Sequence, residues 1–293
     1  MAVAGAALVL MGASVQGAGV QFADRSFYGA VRITDTADHT WRLFMHGTTL
    51  HGVQSLTPET EHMPTGYYGL EAPIGDAMRA MNDAGLLHNV GVLGLGAGTM
   101  ACYARPGQNW TFYEIDPLVV RVAQDPRLFT FLSDCTPDAA MIVGDARLEL
   151  AKQPAGAYDL MLVDAFSSDS VPMHLMTREA MTLYLDHVSA NGVVLIHVSN
   201  RNLALADVAA RAAIAAGAVA LHQRYQPPEL GFANFRSEVV AIARTREALA
   251  PLMADPAWEI AAPPEGRVWT DDYSNVLEPL VQRIAERDEA AAH

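Results

Sequence analysis

The chain has 293 residues, 51% hydrophobic and 18% charged, which is enough for a large buried core and unlike a disordered segment. Its formal net charge is −14. The one lysine, Lys152, and the scattered arginines form no basic stripe, which excludes a nucleic-acid backbone as partner. An acidic surface is compatible with a cationic small substrate, but many proteins are acidic for solubility alone, and charge by itself favours that plainer reading.

Residues 1–22 are apolar and small, with the first charge at Asp24. They read as a disordered tail: too glycine-broken for a membrane span, and without the basic start of a secretory signal. A remnant of a preceding membrane segment is the alternative, and it sets two expectations for location, cytoplasmic or held at the inner membrane. Residues 23–62 read as a small antiparallel β domain, with strands at 26–33 and 40–45 around a polar turn at Asp35 to Asp38. A helix is expected over 65–84, where Tyr68, Ala72, Ile74, Met78 and Met81 fall near helical spacing.

From Asn89 the pattern alternates. Strands are expected at 90–93, 110–115, 139–143, 158–164, 192–198, 218–222 and 239–243, and helices at 117–124, 146–152, 177–188, 203–216 and 246–253. Such alternation makes an α/β domain, here 63–287, with a mostly parallel sheet covered by helices on both faces. Its ligands bind beyond the carboxyl ends of the strands. Residues 288–293 read as a frayed tail. Cys102 and Cys135 have no metal-ligand spacing and no disulfide framework, and read as packed thiols in a reducing compartment.

The most informative stretch is NVGVLGLGAGT, from Asn89 to Thr99, answered by FYEID from Phe112 to Asp116. An apolar run ends in the glycines Gly94, Gly96 and Gly98, which let the backbone approach a ligand at a helix start. Glu114 closes the next apolar run twenty positions after Gly94, the spacing at which a carboxylate accepts both hydroxyls of a ribose. Asp145 and Ala146 follow the third strand over the same crevice, where Asp145 either meets an exocyclic amine such as that of adenine or caps a helix. Asp164 ends the fourth strand and Asp169 lies in the loop after it. Two acids there would hold a protonated amine and remove its proton, or else cap backbone amides.

His46 and His51 bracket a turn and are read as hydrogen-bonded within the β unit, and His174 and His197 as satisfied interior histidines. Asp271, Asp272 and Tyr273 form a late polar loop that either caps a helix or closes over an acceptor. No metal is expected.

Together these motifs resemble the spermidine synthase (polyamine aminopropyltransferase) family, and within it a bacterial branch often fused to a membrane transporter-like region. The resemblance runs from about Arg25 to Leu277. It is carried by RSFYG (25–29), HGTTLHGVQ (46–54), PTGYY (64–68), the glycine loop, YEID (113–116), GDAR (144–147), the loop 164–172 and WTDDYSN (269–275). It implies a small β domain before a methyltransferase-like Rossmann domain. It also implies S-adenosylmethionine, usually decarboxylated, as co-substrate, an amine or polyamine as acceptor, and a homodimer. By similarity Gln54 touches the nucleoside, Glu114 the ribose and Asp145 the adenine. Asp164 orients and deprotonates the attacking amine, and Tyr67 and Asp272 line the acceptor side.

The chain departs from the family at three places. Ala97 replaces the acid of the glycine loop, Gly69 lies near where a glutamate follows the pocket tyrosine, and Asp164 and Asp169 are spaced more widely than the usual pair. Ala97 keeps two further readings open. With room for a carboxyl-bearing donor tail, the chain would be a methyltransferase, an aminocarboxypropyl transferase or a cofactor lyase. With weakened amine sites, it would be a non-catalytic nucleoside-binding domain of a membrane protein.

Overall fold

The computed structural model describes residues 19–165, 172–262 and 265–292. Strands β1 (Gly19–Arg25), β2 (Ala30–Asp35), β3 (Trp41–His46) and β4 (Thr49–Ser55) make an antiparallel sheet in chain order. Strand β1 therefore begins inside the stretch expected to be a tail, because its backbone pairs with β2 from Gly19↔Asp35 to Arg25↔Ala30. The strand expected over 26–33 is split by a turn. Ser26 N–H donates to Gly29 O, and Gly29 sits at φ 151°, a conformation that favours glycine.

The expected single helix over 65–84 is likewise two pieces. A short 3₁₀ turn at Gly66–Tyr68 is followed by helix α1 (Pro73–Asp83). Proline at the first helical position has no N–H to satisfy, and it forces Ala72 before it into extended backbone (φ −80°, ψ 159°).

The second sheet has eight strands: β5 (Asn89–Leu93), β6 (Asn109–Glu114), β7 (Ala140–Val143), β8 (Tyr158–Val163), β9 (Val188–His197), β10 (Val219–Tyr225), β11 (Ser237–Ala243) and β12 (Glu259–Ile260). Their spatial order is β12-β10-β11-β9-β8-β5-β6-β7, with β7, β6, β5, β8 and β9 parallel and the remaining pairings antiparallel. This is the expected mostly parallel, Rossmann-like sheet.

Period-two alternation sends each strand's side chains to two cores. Val90, Val92, Phe112, Leu160 and Leu162 pack with α1, with α2 (Pro117–Gln124) and with Val31, Ile33 and Phe44 of the small sheet. Leu93, Tyr113, Met161 and Val163 pack on the other face, against α3 (Ala146–Leu150), α4 (Arg178–His187) and α5 (Leu205–Ala215). A short helix, α6 (Ala250–Met253), follows β11. Helix α7 (Leu277–Ala292) runs through the stretch expected to fray. It is tied down by Arg283, which donates to Leu203 O and to Glu238.

The two cysteines are not free thiols as expected: Cys102 and Cys135 form a disulfide. The 3₁₀ turn Thr99–Tyr103 packs against the π turn Phe131–Cys135, which brings the two Cα atoms to 5.0 Å. That separation lies in the range a disulfide requires. Tertiary packing sets this approach, and spacing in one sequence does not display it. Among the described residues, no helix is long and apolar enough to cross a membrane.

Candidate active site

The chain leaves β5 outward to β6 and β7 and returns to β8 on the other side of β5. That reversal opens a crevice beyond the carboxyl ends of β5 and β8, the usual ligand position in such sheets. Gly94 N–H donates to Tyr113 O (2.8 Å) and Asp164 N–H to Leu93 O (2.8 Å), which fastens the strand ends around it. The cavity there has a volume of about 930 Å³ and is lined by residues of both sheets. Of the expected residues, Gly94, Gly96, Glu114, Asp145, Ala146, Tyr67 and Asp164 all line it.

Gly94 and Gly96 carry positive φ, 103° and 54°. A side chain on Gly94 would strike the Asp164 carbonyl, and a Cβ on Gly96 would come within 2.8 Å of His51 O. Close passage of backbone past backbone is thus what these glycines permit. Glu114 turns its carboxylate toward this turn. Its Oε2 accepts Leu95 N–H (3.1 Å) and its Oε1 accepts Asp116 N–H (2.9 Å), leaving each oxygen one further acceptor position. Burial pushes its pKa up, against the pull of those amides. Asp145 Oδ1 caps α3 by accepting Leu148 N–H (3.0 Å), while its Oδ2 lies 3.5 Å from His174 Nε2. Capping and lining are therefore compatible roles for one side chain.

At the other end Asp164 is almost fully buried, with its side chain 8% exposed. Its Oδ2 accepts the Tyr68 hydroxyl, and its Oδ1 lies 2.8 Å from His197 Nδ1. Burial alone would raise this carboxyl. The charge and hydrogen bond of His197, the Tyr68 hydroxyl and the charge of His51 outweigh it and hold the pKa below the usual carboxylate range. Tyr67 stacks on the His197 ring (centroids 4.7 Å, 30° between planes) and lies 5.9 Å from Phe235. Phe232 and Phe235 complete an aromatic side of the cavity.

Four expected site residues are placed elsewhere or not described. Gln54 does not line the cavity: its amide donates to Thr130 Oγ1 (2.6 Å) and Glu61 O (3.1 Å) and accepts Thr130 N–H (3.2 Å). It clasps the small sheet to the segment after α2. Gly98 is a turn glycine (φ 85°) whose missing Cβ would meet Leu132 at 3.0 Å, away from the crevice. Asp272 is exposed and outside the lining; its neighbour Asp271 instead accepts Arg147 through both oxygens (2.8 and 2.6 Å) and Thr177 Oγ1 (2.7 Å). Asp169 lies outside the described residues.

Ala97 is 1% exposed, and a Cβ on Gly52 of β4 would come within 2.5 Å of the Ala97 Cβ. The space a smaller residue leaves here is filled by the small sheet, so it does not enlarge the cavity for a longer donor tail. His46 and His51 are not confined to the β unit as expected. Both line the cavity, 5.6 Å apart and edge to face, with His46 Nε2 4.0 Å from Asp116.

Sequence reading misses Tyr68, His197 and these two histidines as site residues. The tyrosine pair and the histidine ending an apolar strand are visible, but what each touches depends on how the two sheets dock. Away from the crevice, Glu61, His62 and Asp134 bring ligand-type atoms within 4.8 Å of one another, joined by a His62–Asp134 contact of 2.9 Å and open to solvent.

Two curated proteins match parts of this chain. A probable polyamine aminopropyl transferase of Bifidobacterium longum is 25% identical over 177 residues, 59% of this chain and 36% of that protein. A polyamine aminopropyltransferase of Vibrio vulnificus is 32% identical over 125 residues, 39% of this chain and 40% of that protein. Over part of its length the chain is similar to polyamine aminopropyltransferases. It spans well under half the length of these two aminopropyltransferases. The fold is shared with the crystal structure of a probable spermidine synthase from Corynebacterium glutamicum. That likeness has a TM-score of 0.61 at 16% identity and covers 88% of this chain and 98% of the other. No family model matches the chain.

Proposed function

We propose that this chain transfers an aminopropyl group from decarboxylated S-adenosylmethionine to the nitrogen of a small amine or polyamine and releases methylthioadenosine. The observation that carries this reading is one cavity with a carboxylate at each end. Glu114 stands beside the glycine turn, and Asp164 is held ionised between His197 and Tyr68. Glu114 offers two acceptor positions to a ribose, and Asp145 faces the base. Leu95, Ile115 and Ala146 supply apolar contact for the nucleoside. Four lining acids, Glu114, Asp116, Asp145 and Asp164, favour a cationic sulfonium and a cationic amine in the same crevice.

The acceptor nitrogen attacks the methylene carbon beside the sulfonium. A C–N bond forms, the C–S bond breaks, and its electron pair returns to sulfur as a neutral thioether. Only a neutral amine can attack, so the ammonium gives its proton to Asp164. The protein's main task is alignment of nitrogen, carbon and sulfur, with Asp164 adding general-base help. Tyr67, Phe232 and Phe235 give the acceptor's methylenes and charge an aromatic surface.

The test is incubation with decarboxylated S-adenosylmethionine and a panel including putrescine and spermidine. The expected result is methylthioadenosine in equal amount with an aminopropylated amine. No methylthioadenosine with any amine would sink the reading, and S-adenosylhomocysteine formed from the intact cofactor would replace it with methyl transfer. D164N is expected to lower kcat by roughly 10²–10⁴-fold. A homodimer is the expected assembly, to be read by light scattering.

A further inference from the structure

We propose that His197 is a positioning residue for this transfer: it holds one oxygen of Asp164 so that the carboxylate meets the acceptor nitrogen as a base. The inference rests on the aminopropyl-transfer reading and assigns a role to a residue that touches neither substrate in it. His197 ends β9, and Asp164 follows the neighbouring strand β8. With Nδ1–H donating to Oδ1 at 2.8 Å and the Tyr68 hydroxyl donating to Oδ2, the two oxygens are gripped from different elements. The carboxylate plane is thereby fixed, and each oxygen keeps a lone pair for the amine proton. The imidazole is itself immobilised, 5% exposed and stacked under Tyr67 at 4.7 Å.

A carboxylate this buried needs such donors, because without them desolvation favours the protonated form, which cannot act as a base. The titratable groups facing Asp164 are His197 of β9, Tyr67 and Tyr68 of the 66–68 turn, and His51 of β4. Glu114 of β6 acts on Tyr68 in turn. Among these, His197 contributes the largest influence opposing burial.

The experiment is the pH dependence of kcat/KM for the wild type, H197A and H197Q, with donor affinity measured alongside. In H197A the acid limb is expected to move up by about 1–3 pH units, so activity falls in the acidic range and recovers as the pH rises toward neutral. H197Q keeps an N–H donor but no charge, and its limb is expected between the other two. Donor affinity, set at the Glu114 end, stays unchanged. A lowered plateau with an unmoved acid limb is what a merely structural histidine would give, and it overturns the proposal.

Should the wild type turn over no amine at all, the functional reading fails. The Asp164–His197 coupling is then read without turnover, by infrared titration of the carboxyl band that D164N removes. An unshifted band in H197A, or in H197Q if H197A does not fold, overturns the inference.

Discussion

Glu114 accepts one backbone amide on each oxygen and still presents both to the cavity. Replacing it with glutamine keeps the shape but removes the charge, so E114Q is expected to weaken binding of methylthioadenosine by roughly 10–100-fold, the worth of hydrogen bonds to a charged acceptor. Calorimetry with that thioether reads the loss directly. Burial raises the Glu114 pKa. Ligand binding that needs the ionised form should therefore weaken at a higher pH on acidification than an ordinary glutamate would dictate. At Ala97 the expectation runs against simple restoration of the family's acid. A97D would press a charge against Gly52 in a site 1% exposed, so its melting temperature should drop rather than its activity rise.

Individual residues differ in how readable they are. Glu114 and Asp164 stand at the ends of apolar runs, and strand ends of a parallel sheet face the crevice whatever else the fold does. Tyr68, His197, His46 and His51 owe their positions to contacts between elements far apart in the chain, which no local pattern encodes. Gln54 shows the converse. The motif around it is visible, but its amide is engaged in clasping Thr130 and Glu61.

Strand β11 illustrates how one element concentrates stability. Glu238 is buried, accepts His222 and Arg224 of the paired strand β10, and takes Arg283 of α7 on its other oxygen. Burial pushes its pKa up, but the hydrogen bonds of His222 and Arg224 prevail and lower it to about 2. The unfolded chain therefore binds this proton more readily than the folded one. The stabilisation is complete above the unfolded value of about 4.3 and is lost as pH falls toward 2. E238Q should cost roughly 3 kcal/mol near neutrality, a gap from the wild type that narrows on acidification in urea titrations.

A second element-scale expectation concerns the turns at Thr99–Tyr103 and Phe131–Cys135. Their disulfide closes a separation of 33 residues, so reduction or C135S should remove roughly 2–4 kcal/mol of stability. Equal urea midpoints with and without reductant would contradict this. The elements themselves are largely legible, since alternation and glycine turns locate nearly every strand of the large sheet. The exceptions follow from single residues: Pro73 starts α1 late, and Gly29 divides the first hairpin.

At the scale of the molecule, the two sheets act as one framework because side chains cross between them. Arg42 of β3 grips Asp35 and donates to the carbonyls of Arg127 and Leu128 after α2, and Ser26 of the first hairpin donates to Asp116 at the start of α2. The order of the large sheet follows from ordinary rules for alternating strands and helices. The docking of the small one does not, because it depends on these few pairings and on the Gly52–Ala97 approach.

Such docking has a thermodynamic echo. Leu43, Phe44, His46 and His51 of the small sheet share a wall with Glu114 and Asp164, so any molecule lodged there touches both halves. Occupancy must then damp the breathing of residues 19–55 against the larger half. Deuterium uptake along β3 and β4 should slow when methylthioadenosine is added, and uptake at β12, on the opposite edge, should not.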